Sequence, residues 1–166
     1  MKLDDLLFER LLHEAENSPR KRSHQNIHES FDDPVQRLCI ALIKGTYVRP
    51  HYHSQLNKWE MMLALRGIVG VLLFDHVGKV EKRFELSPNK ALSGLDILPG
   101  NWHAIFPLTD KAILLEIKEG PYCPLEPEDF ATWAPTENGR AVGKFLSWAE
   151  SALVGDVFSK VATDIE

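Results

Sequence analysis

Residues 59–86 read WEMMLALRGIVGVLLFDHVGKVEKRFEL, and this stretch decides the fold class. It contains three short runs rich in aliphatic, β-branched or aromatic residues, separated by Gly67 and by His76-Val77-Gly78. Short runs of this composition, each bounded by turn residues, are typical of consecutive β-strands. The stretch therefore predicts three strands with no helix between them.

The same pattern extends in both directions, from Arg37 to about Glu119. The additional runs are RLCIALI, TYVRPHYH, ALSGLDIL, WHAIF and AILLEIK. Roughly eight strands at turn spacings of about 8–12 residues fit an antiparallel sandwich or barrel, because no long helical segment intervenes to make a parallel sheet. We predict a mainly β protein with a single antiparallel barrel over residues 37–119.

Both flanks of this β region carry helical patterns. Apolar residues recur at spacings of three and four in residues 3–16 and again in about 140–158, which predicts one helix at each end. Residues 17–34 are polar and contain Pro19, so we predict an irregular connection there. The chain then divides into an N-terminal helix and irregular arm (1–36), the barrel (37–119), and a Pro- and aromatic-rich segment with a C-terminal helix (120–166).

Composition limits the classes of function. The 166 residues are 44% hydrophobic and 26% charged, which indicates one globular domain. The net charge is −5 and no basic stripe interleaves with aromatic residues, so we expect no nucleic-acid partner. Cys39 and Cys123 have no paired-ligand spacing, and nothing near Met1 resembles a signal peptide or an apolar span of about 18 residues. We expect a reduced, cytoplasmic protein without a membrane partner.

The most informative polar feature is His51-Tyr52-His53, at the end of a strand-like run. Side chains two residues apart in a strand project to the same face, so both imidazoles can reach one ion. Glu60 and His103 are further candidates. Three imidazoles and one carboxylate suit Fe, Mn, Ni, Co, Cu or Zn rather than Ca or Mg. Taken alone, the His-x-His pair is weak evidence for a metal site and favours two partly exposed histidines on a sheet surface.

The spacing around these residues resembles the two motifs of the cupin superfamily. The first motif is matched by Gly45, His51-x-His53, Glu60 and Gly67, and the second by Gly94, Pro99-Gly100 and His103. The resemblance implies a small jelly-roll barrel in which His51, His53, Glu60 and His103 bind one metal ion inside.

The chain departs from the first motif at one ligand position. Six residues separate His53 from Glu60, where the family usually has three or four, so counting forward leads to Asn57 or Lys58. Counting back from Gly67 leads to Glu60. A lysine ammonium has no lone pair, and an amide is a poor ligand for these metals, so we expect Glu60 to follow a lengthened turn.

A narrower resemblance covers about Phe31 to Trp133. The runs FDDPVQRL, KGTYVRPHYH, LLFD, PGNWH, LLEIKEGPY and DFATWAP are similar to the WbuC-type cupin metalloproteins of bacterial O-antigen and surface-polysaccharide gene clusters. This resemblance implies one divalent transition metal ion (Fe, Mn, Ni or Zn) and a small-molecule partner such as a sugar or sugar-nucleotide derivative. It leaves open a metal-dependent enzyme, of isomerase or oxygenase type, and a non-catalytic ligand-binding, regulatory or structural cupin.

Other residues could contact a substrate. If the His-x-His pair faces the interior, strand alternation turns Tyr47 and Arg49 the same way and Val48 outward. Arg49 then needs either an internal carboxylate or a carboxylate or phosphate of the substrate. We regard Arg49 and Tyr47 as candidate catalytic residues, and Arg49, Lys58 and Trp102 as candidate substrate-binding residues.

An apolar row bears on assembly. Met61, Leu63 and Leu65 alternate with the Glu60 face and are expected to point out of the barrel. Either the terminal helices or a second copy of the chain could cover this row. We expect a homodimer.

Overall fold

Two antiparallel sheets form the body of the protein, which a computed structural model describes over residues 1–159. The elements in chain order are α1 (Asp5–Glu16), β1 (Arg22–Asn26), β2 (Val35–Ile43), β3 (Glu60–Arg66), β4 (Val69–Phe74), β5 (Val80–Leu86), β6 (Gly94–Ile97), β7 (Trp102–Pro107), β8 (Lys111–Glu119) and α2 (Val142–Ser151). One sheet has the strand order β1-β2-β8-β3-β6 and the other β5-β4-β7. The prediction of a mainly β fold with antiparallel strands and a helix near each end is confirmed.

The core that fills the space between the sheets comes from alternating positions of the strands. In β2 and β8, which pair from Val35↔Glu119 to Ile43↔Lys111, Leu42 and Leu114 are fully buried and face this space. Met62 of β3 and Val71 of β4 pack into the same cluster from the two sheets. Alternation of apolar residues along each strand is therefore what holds the sheets face to face.

The structure differs from the sequence-based prediction in which segments form the eight strands. Arg22–Asn26, expected to be irregular, is β1 and pairs with β2 at the edge of the larger sheet. The residues of β1, RSHQN, are half-buried or exposed, and none lies in the core. A strand in such a position needs no apolar alternation, and its sequence therefore gives no strand signal. Conversely, the run TYVRPHYH forms no regular strand, since Pro50 has no amide N–H for a ladder and only His51 makes isolated bridges.

Helix α1 covers part of the outer face of the larger sheet. Leu11 and Leu12 are buried against Cys39 of β2 and Ile113 of β8. The side chain of Asp4 accepts a hydrogen bond from the Leu7 amide at 3.1 Å and caps the helix N-terminus. Burial of one apolar stripe thus fixes α1 on the sheet.

Helix α2 packs on the smaller sheet and ends at Ser151, earlier than the predicted residue 158. Phe145 and Ala149 are buried against Tyr47 and other residues of this side of the molecule. The guanidinium of Arg83 on β5 donates hydrogen bonds to the carbonyl oxygens of residues 149, 150 and 152, which satisfies the helix C-terminus. Residues 160–166 of the predicted C-terminal segment lie outside the described residues, and the three-part division of the chain stays a prediction.

The apolar row on β3 is covered only at one end. Leu65 packs against the α1 cluster, whereas Met61 is 40% exposed and Leu63 is half-buried. The homodimer therefore stays a prediction. None of the helices within residues 1–159 has the length and apolar character needed to cross a bilayer.

Candidate metal centre

One residue from each sheet and two from the irregular segment before β3 converge at one end of the space between the sheets. Glu60 is the first residue of β3 in the larger sheet, and His103 is the second residue of β7 in the smaller one. His51 and His53 lie on the segment that follows Pro50. One potential ligand atom from each of the four residues lies within 4.8 Å of the others. The four residues predicted from the cupin resemblance are therefore brought together.

The His51 segment is held by backbone hydrogen bonds on both sides. The amides of His51 and His103 each donate to the other's carbonyl oxygen, at 3.1 and 2.8 Å. On the opposite side the Tyr52 amide donates to Asp129 O, and the Ala131 amide donates to Pro50 O. The segment thus lies between β7 and residues 129–131, which fixes the positions of both histidines.

The atoms that face one another lack hydrogen-bond partners. His53 Nε2, His103 Nε2 and Glu60 Oε2 are buried and none makes a hydrogen bond of acceptable geometry within residues 1–159. They are nevertheless close, because His53 Nε2 lies 2.9 Å from Glu60 Oε1 and His103 Nε2 lies 3.1 Å from Glu60 Oε2. Buried polar atoms without partners cost stability, and one cation bound by all of them would satisfy them together. The cluster fits a metal site.

Backbone carbonyls orient two of the imidazoles. His51 Nδ1 lies 3.0 Å from the carbonyl oxygen of Arg49, and His103 Nδ1 lies 3.0 Å from that of Asn101. A carbonyl oxygen only accepts, so Nδ1 carries the proton and the Nε2 lone pair is directed into the cluster. Hydrogen bonds of this kind commonly fix the tautomer of metal-binding histidines.

Burial and local charge set the protonation states. Burial, together with repulsion from His103, lowers the pKa of His51 to about 3, so this imidazole is neutral at physiological pH. Burial would raise the pKa of Glu60, but His103, His53 and Lys118 outweigh it and hold that pKa well below its usual value. Burial would lower the pKa of His103, and the Glu60 carboxylate reverses this and raises it. A metal binds the neutral imidazole and the ionised carboxylate, so His51 and Glu60 are already in the binding form, whereas metal binding at His103 would displace a proton.

Lys118 and Glu116 form a charged pair beside the cluster that the sequence-based search missed. Lys118 Nζ lies 2.7 Å from Glu116 Oε1 and 3.5 Å from Glu60 Oε1. Burial opposes the ammonium, but the two carboxylates outweigh it and raise the pKa of Lys118, which keeps it protonated. Strand alternation in β8 predicts that this pair points toward the core, because Glu116 and Lys118 lie on the same face as the buried Leu114.

Two cavities meet at the cluster. The first, here called the inner cavity, has a volume of about 210 Å³. Its polar lining residues are Arg22, Ser23, His24, His51, Glu60, His103, Glu116 and Lys118, and the others are aliphatic side chains and Met62. The second, the arginine chamber, has a volume of about 340 Å³ and is lined by Arg20, Arg22, Val48, Arg49, His51, Leu125, Phe130 and Glu137. Arg22, Val48 and His51 line both. The candidate metal ligands are therefore accessible to a small molecule.

Residues 3–86, about half of the chain, match the family DUF6016, described as a domain of unknown function. The chain belongs to this family. No curated protein matches the chain.

Solved structures similar to this DUF6016 chain show its fold. TT1209 from Thermus thermophilus is 22% identical with a TM-score of 0.52, over 72% of this chain and 97% of TT1209. CapF, crystallised with the inhibitor 3-isopropenyl-tropolone, is 24% identical with a TM-score of 0.51, over 67% of this chain but only 30% of CapF. A cupin superfamily protein (DSY2733) from Desulfitobacterium hafniense DCB-2 is 18% identical with a TM-score of 0.46, over 59% of this chain and 76% of that protein. The neighbours of the DUF6016 chain thus include a cupin superfamily protein, while the WbuC-type relationship stays a prediction.

Arg49 and Tyr47 of the DUF6016 chain both hydrogen-bond to residues 131–135, and neither belongs to the metal cluster. Arg49 Nε and Nη2 donate to Ala131 O at 3.2 and 2.7 Å, and its guanidinium lines the arginine chamber. The Tyr47 hydroxyl is buried and donates to Pro135 O at 2.7 Å, in the cluster with Phe145. Strand alternation fails here because Pro50 interrupts the strand, so Val48 lines the inner cavity and Tyr47 does not join the metal cluster.

The two other candidate substrate-binding residues are also separated. Lys58 Nζ donates to Pro121 O at 2.6 Å, and the residue lines a small crevice beside His53 and Glu60. Trp102 packs against Tyr52 with ring centroids 4.3 Å apart and ring planes tilted by 43°, on the face of β7 opposite His103. In the DUF6016 chain Lys58 is therefore near the cluster, whereas Trp102 packs away from it.

Proposed function

We propose that this protein is a metal-binding cupin that holds one divalent transition metal ion (Fe, Mn, Ni or Zn) through His51, His53, Glu60 and His103. The observation that carries the proposal is the convergence of three buried ligand atoms that have no hydrogen-bond partner among the described residues, on His53, Glu60 and His103. Glu60 and His103 also line the inner cavity. Nitrogen and oxygen donors in this proportion suit these metals better than Ca²⁺ or Mg²⁺.

The site is proposed to act on a small polar molecule bound in the inner cavity. Four protein ligands leave up to two positions open on an octahedral ion, and a metal there supplies Lewis acidity toward a carbonyl or hydroxyl group or toward water. Arg49 orients the molecule from the arginine chamber. The WbuC-type resemblance supports a sugar or sugar-nucleotide derivative of bacterial surface-polysaccharide biosynthesis as that molecule, in the cytoplasm.

Metal analysis tests the first part of the proposal. The full chain, purified without a histidine tag, is expected to contain or take up about one ion per chain, and Glu60→Gln to lose it because a neutral amide replaces the carboxylate ligand. Glu81→Gln, which changes an exposed glutamate on β5, is the matched control and keeps the ion. A wild-type chain that binds no transition metal on titration would refute the proposal.

A ligand screen separates the two candidate roles. Nucleotide sugars are added to the metal-loaded protein in a thermal-shift assay, and each ligand that stabilises it is followed for conversion by mass spectrometry. Conversion supports an enzyme. Stabilisation without conversion supports the alternative, a ligand-binding or regulatory cupin.

We also propose a homodimer, because the exposed Met61 and the half-buried Leu63 leave part of an apolar sheet face uncovered. Light scattering at micromolar concentration is expected to give twice the chain mass of 18.9 kDa. A monomer mass would contradict this assembly, and Met61→Lys is expected to convert the dimer to that mass.

A further inference from the structure

We infer that the arginine chamber binds an anionic group, a carboxylate or a phosphate, of a small molecule whose uncharged part reaches the inner cavity beside the metal ligands. The inference rests on the proposed function only for the part of the molecule that meets the metal. The anion site itself follows from the contacts of three arginines.

Arg49 is a positioned cation without an anionic partner. A guanidinium has five N–H donors, and Arg49 uses two of them on the carbonyl oxygen of Ala131, which leaves three. Its side chain is half-buried and lies over the Phe130 ring, 5.5 Å from the centroid. Within residues 1–159 no carboxylate forms an ion pair with it. A partly buried guanidinium held in this way has its remaining N–H groups preorganised for a carboxylate or phosphate.

The other charges of the arginine chamber leave it positive. Arg22 and Arg20 donate to the same oxygen of Glu137, at 2.6 and 3.0 Å, so one carboxylate serves two guanidinium groups. The chamber therefore holds three cations and one anion, although the chain as a whole has a net charge of −5. A local excess of positive charge in a concave site attracts anions. Solvent screens Arg22, whose side chain is 16% exposed, less than Arg20, which is 60% exposed.

The inner cavity sets the character of the rest of the molecule. Arg22, Val48 and His51 line both cavities, so one small molecule can occupy them together. The charges of the inner cavity balance, because Arg22 and Lys118 are matched by Glu60 and Glu116, and Lys118 Nζ lies 2.7 Å from Glu116 Oε1. The remaining wall is mostly aliphatic and includes Leu38, Ile40, Leu42, Met62 and Ile105. The uncharged part of the ligand therefore occupies the inner cavity, and its anionic group occupies the arginine chamber.

Calorimetry with two simple probes tests the anion site. Inorganic phosphate and butyrate are titrated into the full, metal-loaded chain and into three variants, and the metal content of each is measured. Arg49→Met is expected to weaken binding of the better probe at least tenfold. Glu137→Gln removes the carboxylate that competes with the probe for Arg20 and Arg22, and is expected to strengthen binding of that probe severalfold. Arg37→Met, which removes an exposed arginine from β2, is the matched control and leaves binding unchanged.

The outcomes separate this inference from the proposed function. A preference for phosphate identifies a phosphorylated ligand, and a preference for butyrate identifies a carboxylate. If neither probe binds, or if Arg49→Met binds as the wild type does, the inference is overturned, because the anion then binds elsewhere, for example directly on the metal. If the protein contains no metal but the variants still change anion binding as stated, the proposed function fails and the anion site stands.

Discussion

Replacing Lys118 by methionine is expected to tighten metal binding, although the mutation disrupts a buried ion pair. Lys118 Nζ lies 3.5 Å from Glu60 Oε1, and a coordination bond of about 2.2 Å would place the ion within about 5.7 Å of this ammonium. Repulsion between a single and a double positive charge at that distance is about 1.5 kcal/mol even at the dielectric constant of water. Removing it lowers the metal dissociation constant about tenfold, or more if the effective dielectric constant is lower.

The assay is competition with a chromophoric chelator at fixed pH and salt, using the wild type, the two single variants and the double variant. Glu116→Gln is expected to weaken binding, because Lys118 then loses its neutralising carboxylate. Lys118→Met combined with Glu116→Gln removes one charge of each sign and is expected to restore an affinity near that of the wild type. If the Lys118→Met variant binds metal no better than the wild type while its circular dichroism spectrum is unchanged, the proposed charge repulsion between Lys118 and the ion is refuted.

Three further predictions concern stability. Leu11→Ala should lower the free energy of unfolding by about 2–5 kcal/mol in urea denaturation, because Leu11 on α1 is fully buried against the larger sheet. Leu6→Ala, at an 82% exposed site of the same helix, should change it little. Arg83→Met should cost about 1–3 kcal/mol, seen as a lower melting temperature, because the carbonyls at the end of α2 lose a charged donor; an unchanged melting temperature would contradict the capping role. Tyr47→Phe should lower the free energy of unfolding by about 1 kcal/mol, because the hydrogen bond to the carbonyl oxygen of Pro135 is lost. The metal content of this variant should stay the same, and a loss of metal would show that Tyr47 belongs to the site.

The strands with apolar alternation could be predicted from the sequence, and the strands without it could not. Seven of the eight predicted runs became strands because each has one face in the core. β1 lacks this signal because its residues RSHQN form a polar sheet edge, which among the strands of residues 1–159 pairs with β2 alone. The run around Pro50 has the composition of a strand, but Pro50 lacks the amide N–H that a strand ladder needs.

The candidate ligands could be predicted because their spacing depends on the strands that carry them. Glu60 and His103 begin or nearly begin strands, so a motif in sequence becomes a cluster in space. The residues before Pro50 could not be placed in the same way. An uninterrupted strand would point Tyr47 into the barrel and Val48 out of it, but Tyr47 packs in the cluster with Phe145 and Val48 lines the inner cavity. Lys118 was overlooked because a lysine is usually exposed, and only its pairing with buried carboxylates accounts for its position.

The burial of Cys39 beneath α1 gives this protein an internal reporter of local opening. Cys39 is fully buried and burial raises the pKa of its thiol to about 11, while Cys123 is exposed. Thiol reagents attack the thiolate, so Cys123 reacts first and Cys39 reacts only when the helix leaves the sheet. The rate of the second modification therefore measures how often α1 detaches from the native protein, without any introduced label.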